Sequence, residues 1–528
     1  MSASTYPVWG WSRDAGDEPR TEDLEAMAPL AAQHLGLPVQ PPERPAPLPA
    51  LAADRVGSRL PAPLAVLASS EPLDRARHAL GRSYRDVVRG IRGEIPAAPD
   101  VVLRPRNEVD VAAVLDWCSD ARVAVVPYSG GTSVVGGVEP AVGDGYTGVA
   151  SLDLELLAGV LEVDPVSRAA RVAAGTAGPR LEDELRPHGL TARFFPQSFE
   201  RSTVGGWVAT RAAGHFSTRL THIDDIVESV RAVTAAGIWE SRRLPGSGAG
   251  PSPDRMLLGS EGTLGVVTET WLRVQPRPTH RWAATLAAGT FAEGAHAVRM
   301  LLHDGLLPAT CRLIDAAESA TAGTLATGQA ALVLGFESYG GPVEASAVRA
   351  LDVARDAGLQ VVEAGDRGGA GEAWRSSFVR APYVREQLVL LGLLVETFET
   401  AITWDRFDEF VAHVTDATES ALRSVCGAGR VTCRLTHVYA DGAAPYFTVM
   451  APANRGSELA QWDEVKAAAS EAIMSAGGTI THHHAVGRDH VRWYAAQRPE
   501  PFARAFAAAK AALDPAAILN PGVLSPLS

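Results

Sequence analysis

Lysine is almost missing from this sequence: Lys466 and Lys510 are the only two, and arginine carries the rest of the 48 basic charges. There is no basic block and the formal net charge is −13, so a nucleic-acid partner is not expected. Cysteine is as sparse. Cys118, Cys311, Cys426 and Cys433 form no C-x-x-C pair, which excludes a disulfide framework or cysteine metal site and fits a reduced, cytoplasmic protein. The opening Met1-Ser2-Ala3-Ser4-Thr5-Tyr6-Pro7 lacks a basic stretch followed by an apolar one, so no signal peptide is expected. The apolar run from Leu388 to Val395 falls far short of the ~20 residues of a membrane span, so any contact with lipid is peripheral. What is there is 528 residues, 46% hydrophobic and 21% charged: a soluble globular chain of roughly two to four domains. The Ala, Gly and Arg richness reads as GC-rich coding, as in bacteria.

Patterning divides the chain. Residues 1–96 read as an N-terminal helical extension, with an Ala/Leu/Glu-rich helix over 21–35, a Pro-rich connector over 38–49, and helical turns over 54–90. Residues 97–278 alternate strands and helices. Asn107 caps a helix whose apolar Val111, Val114, Leu115 and Cys118 follow i, i+3, i+4, i+7 spacing, and Val123 to Val126 is a β-branched strand. After Pro276-Arg277-Pro278, residues 279–480 form an α+β unit with helices over 290–304, 341–357 and 405–424 and strands over 331–337 and 446–451. Residues 481–528 add the run His482-His483-His484 and a helix with Phe502, Phe506, Ala509 and Leu513 on one face. The whole is α+β, without internal repeats.

Three segments pair glycines with hydroxyls: Pro127-Tyr128-Ser129-Gly130-Gly131-Thr132-Ser133, Ser202 to Gly214, and Leu257 to Val267. Residues without Cβ let several N–H groups converge on an anion while hydroxyls add donors, so together they suggest an extended cofactor with a pyrophosphate. None has G-x-G-x-x-G spacing after a strand. Ser202 or Thr203 caps a short helix closed by Gly214. Gly205 and Gly206 inside it cost about 1 kcal/mol each, which either close approach of a ligand or tight helix-on-sheet packing would explain.

These segments, with the closing Asp514-Pro515 and Leu519-Asn520-Pro521-Gly522, resemble the vanillyl-alcohol-oxidase-type FAD enzymes and, within them, the alkyldihydroxyacetonephosphate synthase family of ether-lipid enzymes. The likeness runs from Trp9-Gly10-Trp11-Ser12 to the tail. Its most specific parts are Ser202 to Ala213, Phe398-Glu399-Thr400-Ala401-Ile402-Thr403-Trp404-Asp405-Arg406, and Thr481 to Gly487. The resemblance implies a two-subdomain FAD-binding domain over 97–278, a cap (substrate) domain over 279–480, and a C-terminal segment that completes the site. It implies FAD contacts from Pro127, Tyr128, Ser129, Gly130, Gly131, Thr132 and Ser133; from Gln197, Ser198, Ser202, Thr203, Gly205, Gly206, Thr210, Arg211, Ala212 and Ala213; and from Gly259, Ser260, Glu261, Gly262, Thr263, Leu264 and Gly265. Relatives that bind FAD covalently place a His in or near the glycine loop. This loop has none, so the FAD is expected to be noncovalent.

Relatives that oxidise 2-hydroxy acids carry Gly-Asp-Gly-Asn-x-His and Glu-His-Gly segments that hold a metal. Here the matching stretches read Ala440-Asp441-Gly442-Ala443-Ala444-Pro445-Tyr446 and His482-His483-His484-Ala485. On a strand, His482 and His484 would face one side and His483 the other, so at most two converge and no metal is expected. The resemblance implies instead that the acyl chain of an acyl-dihydroxyacetone phosphate, or a close analogue, is exchanged for a fatty alcohol without net redox change. Tyr446 is then the acid/base, with Arg312, His482, His483 and His484 catalytic beside it and Arg385 on the substrate. A phenol with a pKa of about 10 is a poor base, so cationic neighbours are expected from Arg312 and the histidine run. Two positions depart from the family pattern: Phe194 stands where a His is usual, and Ala485 where a Gly is. An FAD-dependent oxidase or dehydrogenase of an alcohol or 2-hydroxy acid stays open, as does a flavin-binding protein without turnover, with Tyr446 merely buried. The expected partner is a small lipid-like molecule, and a homodimer is compatible with the sequence.

Overall fold

A computed structural model describes residues 10–11, 19–325, 328–365 and 382–526; Trp9 and Ser12 of the Trp-Gly-Trp-Ser stretch lie outside the described residues. The apolar run at 123 extends through Pro127 as the strand Val123–Tyr128, and it and Val101–Leu103 both pair parallel to Gly148–Asp153. Burial on both faces is what such uninterrupted apolar runs require of a parallel sheet. The helix Glu108–Ala121 makes the crossover. Asn107 accepts from the Asp110 N–H, and the expected Val111, Val114, Leu115 and Cys118 are its buried face.

A second, antiparallel sheet runs in the order Val160–Asp164, Ala169–Ala173, Val266–Arg273, Val227–Thr234, Gly237–Glu240 and shares one apolar core with the first. The helix Val204–Thr210 packs on it. This helix ends earlier than Gly214, because Arg211 takes the left-handed conformation (φ 53°) that closes the last turn. Val160–Asp164 escaped the sequence reading because it shows no apolar alternation: Leu161 and Glu162 are both exposed, and Val160 and Val163 are only partly buried.

The third sheet is antiparallel and large. Its path is Gln360–Gly365, His280–Ala288, Ala330–Ser338, Thr310–Ile314, Arg430–Val438, Gly442–Pro452, Leu393–Glu399. Helices Phe291–His303, Glu344–Asp356, Phe407–Cys426 and Glu458–Ser475 contribute to the core of this sheet, and so do the N-terminal helices Thr21–Leu35 and Tyr84–Ile91. Among the described residues no helix is long and apolar enough to cross a membrane.

Strand alternation turns Tyr446, Thr448 and Met450 to one face, beside Arg434, Thr432 and Arg430 in register on the next strand. A bulge between Leu435 and His437 then brings both Thr436 and His437 to the cavity wall.

Candidate active site

The glycine-bearing segments meet around a cavity of about 250 Å³. Pro127, Tyr128, Ser129, Gly130, Gly131, Thr132 and Ser133 line it, as do Gln197, Ser198, Ser202, Thr203, Gly205, Gly206, Thr210, Ala212, Ala213, Glu261, Gly262 and Gly265. Five expected residues are not on the wall. Arg211 turns away to pair with Asp224 at 2.8 Å, Gly259 packs on the Arg211 stem, Thr263 bonds back to the Ser260 carbonyl, and Leu264 is core. Ser260 is buried beside them. The glycine pair has two explanations rather than one. A Cβ on Gly205 would sit 2.6 Å from the Ala174 Cβ, so helix-on-sheet packing demands that glycine; a Cβ on Gly206 would meet only the Thr203 hydroxyl at 3.5 Å.

This wall leaves polar atoms unused. The N–H groups of Gly130, Gly131 and Thr132 enter no backbone hydrogen bond, and Ser129 Oγ, Thr203 Oγ1 and Asn520 Oδ1 are buried without a protein partner. Buried polar atoms are otherwise satisfied in folded proteins, so an elongated polar ligand that supplies the partners fits this wall, as FAD does.

The opposite wall carries Arg312, Thr436, His437, Tyr446, His483, His484 and Ala485. Tyr446 and His484 also border a second chamber of about 380 Å³, whose lining includes Arg385, Arg430, Arg434 and Glu318 among apolar Leu388, Val395 and Met450. Tyr446 therefore stands at the junction. Burial pushes its phenol above the ordinary value, and Arg434 opposes this, its guanidinium carbon 4.0 Å from the ring centre and its Nη1 2.6 Å from Glu318. The cation over Tyr446 is thus Arg434 rather than the expected Arg312. Arg312 donates to the His215 carbonyl oxygen (2.5 Å), and burial, then Arg434, lowers its pKa well below the ordinary value. Arg385 lines the second chamber and donates to the Arg82 carbonyl.

Residues 481–484 bend instead of extending as a strand, because one carboxylate gathers them. Glu399, 2% exposed, accepts from Thr481 Oγ1 (2.6 Å) and from the N–H groups of His482, His483 (3.2 Å) and His484 (2.7 Å). Burial alone would raise its pKa; the facing imidazoles and the Thr481 hydroxyl hold it well below the usual carboxylate range. The bend overturns the expected alternation. The Nδ1 atoms of His482 and His483 come within 2.9 Å, and those of His483 and His484 lie 3.7 and 3.5 Å from Glu399. Behind the wall, His482 Nε2 is 2.7 Å from Tyr439 Oη and 3.0 Å from His222 Nε2. Burial pushes these imidazoles down, His483 to about 3, so they are neutral near pH 7. Ligand atoms of His437, His482 and His483, and of Glu399, His483 and His484, lie within 4.8 Å of one another, close enough to share a metal ion.

Ala485, where the family pattern has glycine, adopts φ 76°, and the next two N–H groups, of Val486 and Gly487, donate to Glu261. Asn520 Nδ2 donates to the carbonyls of Gly137 and Glu261, so the tail is fastened to the glycine wall. Phe194 is core, 5.1 Å from Trp207, while Gln197 of the same segment reaches the cavity. Sequence reasoning passed over Arg434, His437, Glu399 and Asn520. The alternating Arg430-Val431-Thr432-Cys433-Arg434 was a signal for the first, and Glu399 and Asn520 lay inside motifs already singled out. His222 and Tyr439 carried no local signal.

Two family models match the chain: FAD binding domain over residues 99–241, and FAD linked oxidases, C-terminal domain, over 277–524. The chain is 28% identical over 486 residues to an alkyldihydroxyacetonephosphate synthase of Dictyostelium discoideum, covering 86% of this chain and 78% of that protein. It is 26% identical over 445 residues to the glycolate oxidase subunit GlcD of Bacillus subtilis (strain 168), covering 80% and 88%. A solved alkyldihydroxyacetonephosphate synthase structure superposes with a TM-score of 0.76 at 23% identity, over 94% of this chain and 92% of that one. The chain therefore belongs to the FAD-linked oxidases of the vanillyl-alcohol-oxidase type, as an FAD-dependent enzyme of the alkyldihydroxyacetonephosphate synthase kind.

Proposed function

We propose that the enzyme exchanges the acyl chain of an acyl-dihydroxyacetone phosphate, or a close analogue, for a fatty alcohol. Ester and alcohol become ether and carboxylate, one proton is released, and no electrons are gained or lost overall. The observation that carries this reading is the position of Tyr446, at the junction of a cofactor-shaped cavity and an arginine-bearing, largely apolar chamber. The glycine wall would hold FAD noncovalently, and the bound flavin would supply an electrophilic centre for the exchange. Tyr446 removes and returns the proton at C1, with Arg434 lowering the cost of its phenolate. Arg385 and Arg434 face the phosphate and the departing carboxylate, for which a guanidinium fork is suited. His483 and His484 hold the Tyr446 side of the cavity, with ring centres 6.2 and 5.6 Å from the phenol.

The convergence of His437, His482 and His483 favours one second reading, oxidation of an alcohol or hydroxy acid assisted by a metal. Anaerobic mixing of the yellow protein with acyl-dihydroxyacetone phosphate and hexadecanol separates the two. Fatty-acid release with ether formation and no build-up of reduced flavin supports exchange; bleaching of the flavin by an alcohol or hydroxy acid alone supports oxidation. Noncovalent binding predicts that acid precipitation leaves a white pellet and a yellow supernatant.

A further inference from the structure

We propose that Gly10 and Trp11 belong to the active site, with the Trp11 indole N–H donating to the carboxylate that departs from the substrate. This role rests on the proposed exchange. Trp11 is 6% exposed and borders both the cofactor-shaped cavity and the second chamber, a position it shares with Tyr446 and His484. Its Nε1 is buried without a protein partner. An indole N–H can only donate, and a donor withdrawn from water without an acceptor is destabilising, so the acceptor belongs to whatever fills the junction.

Two charged side chains hold this step from opposite sides. Glu386, 2% exposed, accepts the Trp11 backbone N–H, and Arg201 Nη1 donates to the carbonyls of Trp11 (3.3 Å) and Gly10 (3.5 Å). Arg201 is tied to the glycine wall, since a Cβ on Gly130 would run into its carbonyl. Glu386 comes from the substrate side, in the helical residues 382–390 and next to Arg385 of the second chamber. Gly10 adopts φ 83°, and a Cβ there would sit 2.8 Å from the Glu386 carboxyl group, so glycine is what lets the carboxylate approach. The ring is thereby fixed before substrate arrives.

In the exchange, the C1–O bond of the ester breaks and its electron pair leaves on the carboxylate. The alcohol oxygen forms the new C1–O bond and its proton is released, while the indole keeps its own. Charge builds on the departing oxygens, so a fixed donor binds them more tightly in that transition state than in the ester. The phosphate is charged throughout and suits the guanidinium groups of Arg385 and Arg434. A neutral indole suits an oxygen whose charge appears only during the reaction.

The test follows fatty-acid release from acyl-dihydroxyacetone phosphate in a single turnover with hexadecanol, beside KM and FAD content. It is repeated with a 2,2-difluoroacyl substrate, whose carboxylate is the weaker hydrogen-bond acceptor. Trp11→Phe keeps a ring and loses the N–H. It is expected to slow release about tenfold with KM and FAD content little changed, and the loss is expected to shrink to about threefold on the difluoroacyl substrate. Glu386→Ala, which frees the backbone but keeps the indole, should give the same pattern, and Glu386→Gln, whose amide oxygen still accepts, a smaller loss. Release by Trp11→Phe at the wild-type rate would overturn the role. So would an equal loss on both substrates, which makes the ring merely structural, or a fall in FAD content, which gives the N–H to the flavin. Failure of the parent reading shows separately, as absence of fatty-acid release from the wild type, and takes this role with it.

Discussion

The glycine wall and the histidine wall face each other across one cavity and differ in how far their polar atoms are satisfied within the protein. On the glycine side, Ser129 Oγ, Thr203 Oγ1 and Asn520 Oδ1 are buried without protein partners, and three successive N–H groups are unengaged by backbone. On the histidine side most partners are internal, with Thr436 Oγ1 and Arg434 Nε as exceptions: Glu399 takes four hydrogen bonds, Arg434 is paired with Glu318, and the imidazoles meet one another within 3.0 Å. A wall with open valences is finished by its ligand. A wall with mostly closed ones keeps its shape without it, which is what a catalytic constellation needs if its geometry is to precede binding.

The contrast can be broken most severely at Tyr446. Tyr446→Phe should lower turnover by about 10³-fold or more while FAD content, read from flavin absorbance, stays at the wild-type level; activity within a few-fold of wild type would remove Tyr446 from the acid/base role. Next is Glu399→Ala, which strands three backbone N–H groups and the Thr481 hydroxyl. It should cost about 3 kcal/mol and lower Tm even in FAD-free protein, with Glu399→Gln milder. An unchanged Tm would mean that the histidine wall is not held by this carboxylate.

Glu261 tests the seam where the two walls join. Burial raises its pKa to about 7, against roughly 4.3 in an unfolded chain. Its stabilising contribution is therefore complete below the unfolded value and is lost as pH climbs through about 7, amounting to about 3.5 kcal/mol. Wild type minus Glu261→Gln in a Tm series from pH 4 to pH 8 should isolate that slope, and parallel curves would refute it. The smallest effects separate neighbouring glycines. Gly205→Ala collides with Ala174 and should destabilise the fold by about 1–3 kcal/mol with FAD affinity little changed. Gly206→Ala should do the reverse, stabilising FAD-free protein by up to about 1 kcal/mol through helix propensity, read as a higher Tm, while weakening FAD binding in a fluorescence titration. The same response from both variants would mean that both glycines serve packing alone.

Local pattern made some of this legible. The helix capped by Asn107 and the strand at 123 could be read because apolar period and cap chemistry agree within a dozen residues. Thr21–Leu35 was readable as a helix, but not that it would pack beneath the large sheet, since its partners lie hundreds of residues away. The glycine wall was mostly visible, because glycine and hydroxyl residues advertise it in short segments. Arg211 and Gly259 were misplaced since sequence does not say which way a residue of such a segment turns. On the histidine wall the residue types were visible and the geometry was not. Alternation separated His482 from His483, whereas Glu399, arriving from another strand, folds the run into a bend.

The tail adds a matter of timing. Val125 donates to the Ile518 carbonyl, and the Asn520 N–H donates back to the carbonyl of Val125, so the strand that leads into the glycine loop, already paired with Gly148–Asp153 on one side, acquires its other neighbour only from residues made hundreds of positions later. Asn520 also lines the cavity and clasps Glu261. A ribosome-bound chain that already displays Gly130 and Gly206 thus has a cofactor wall with one side missing, so flavin loading is a late event. Chains stalled short of residue 518 should be recovered colourless, whatever the flavin supply.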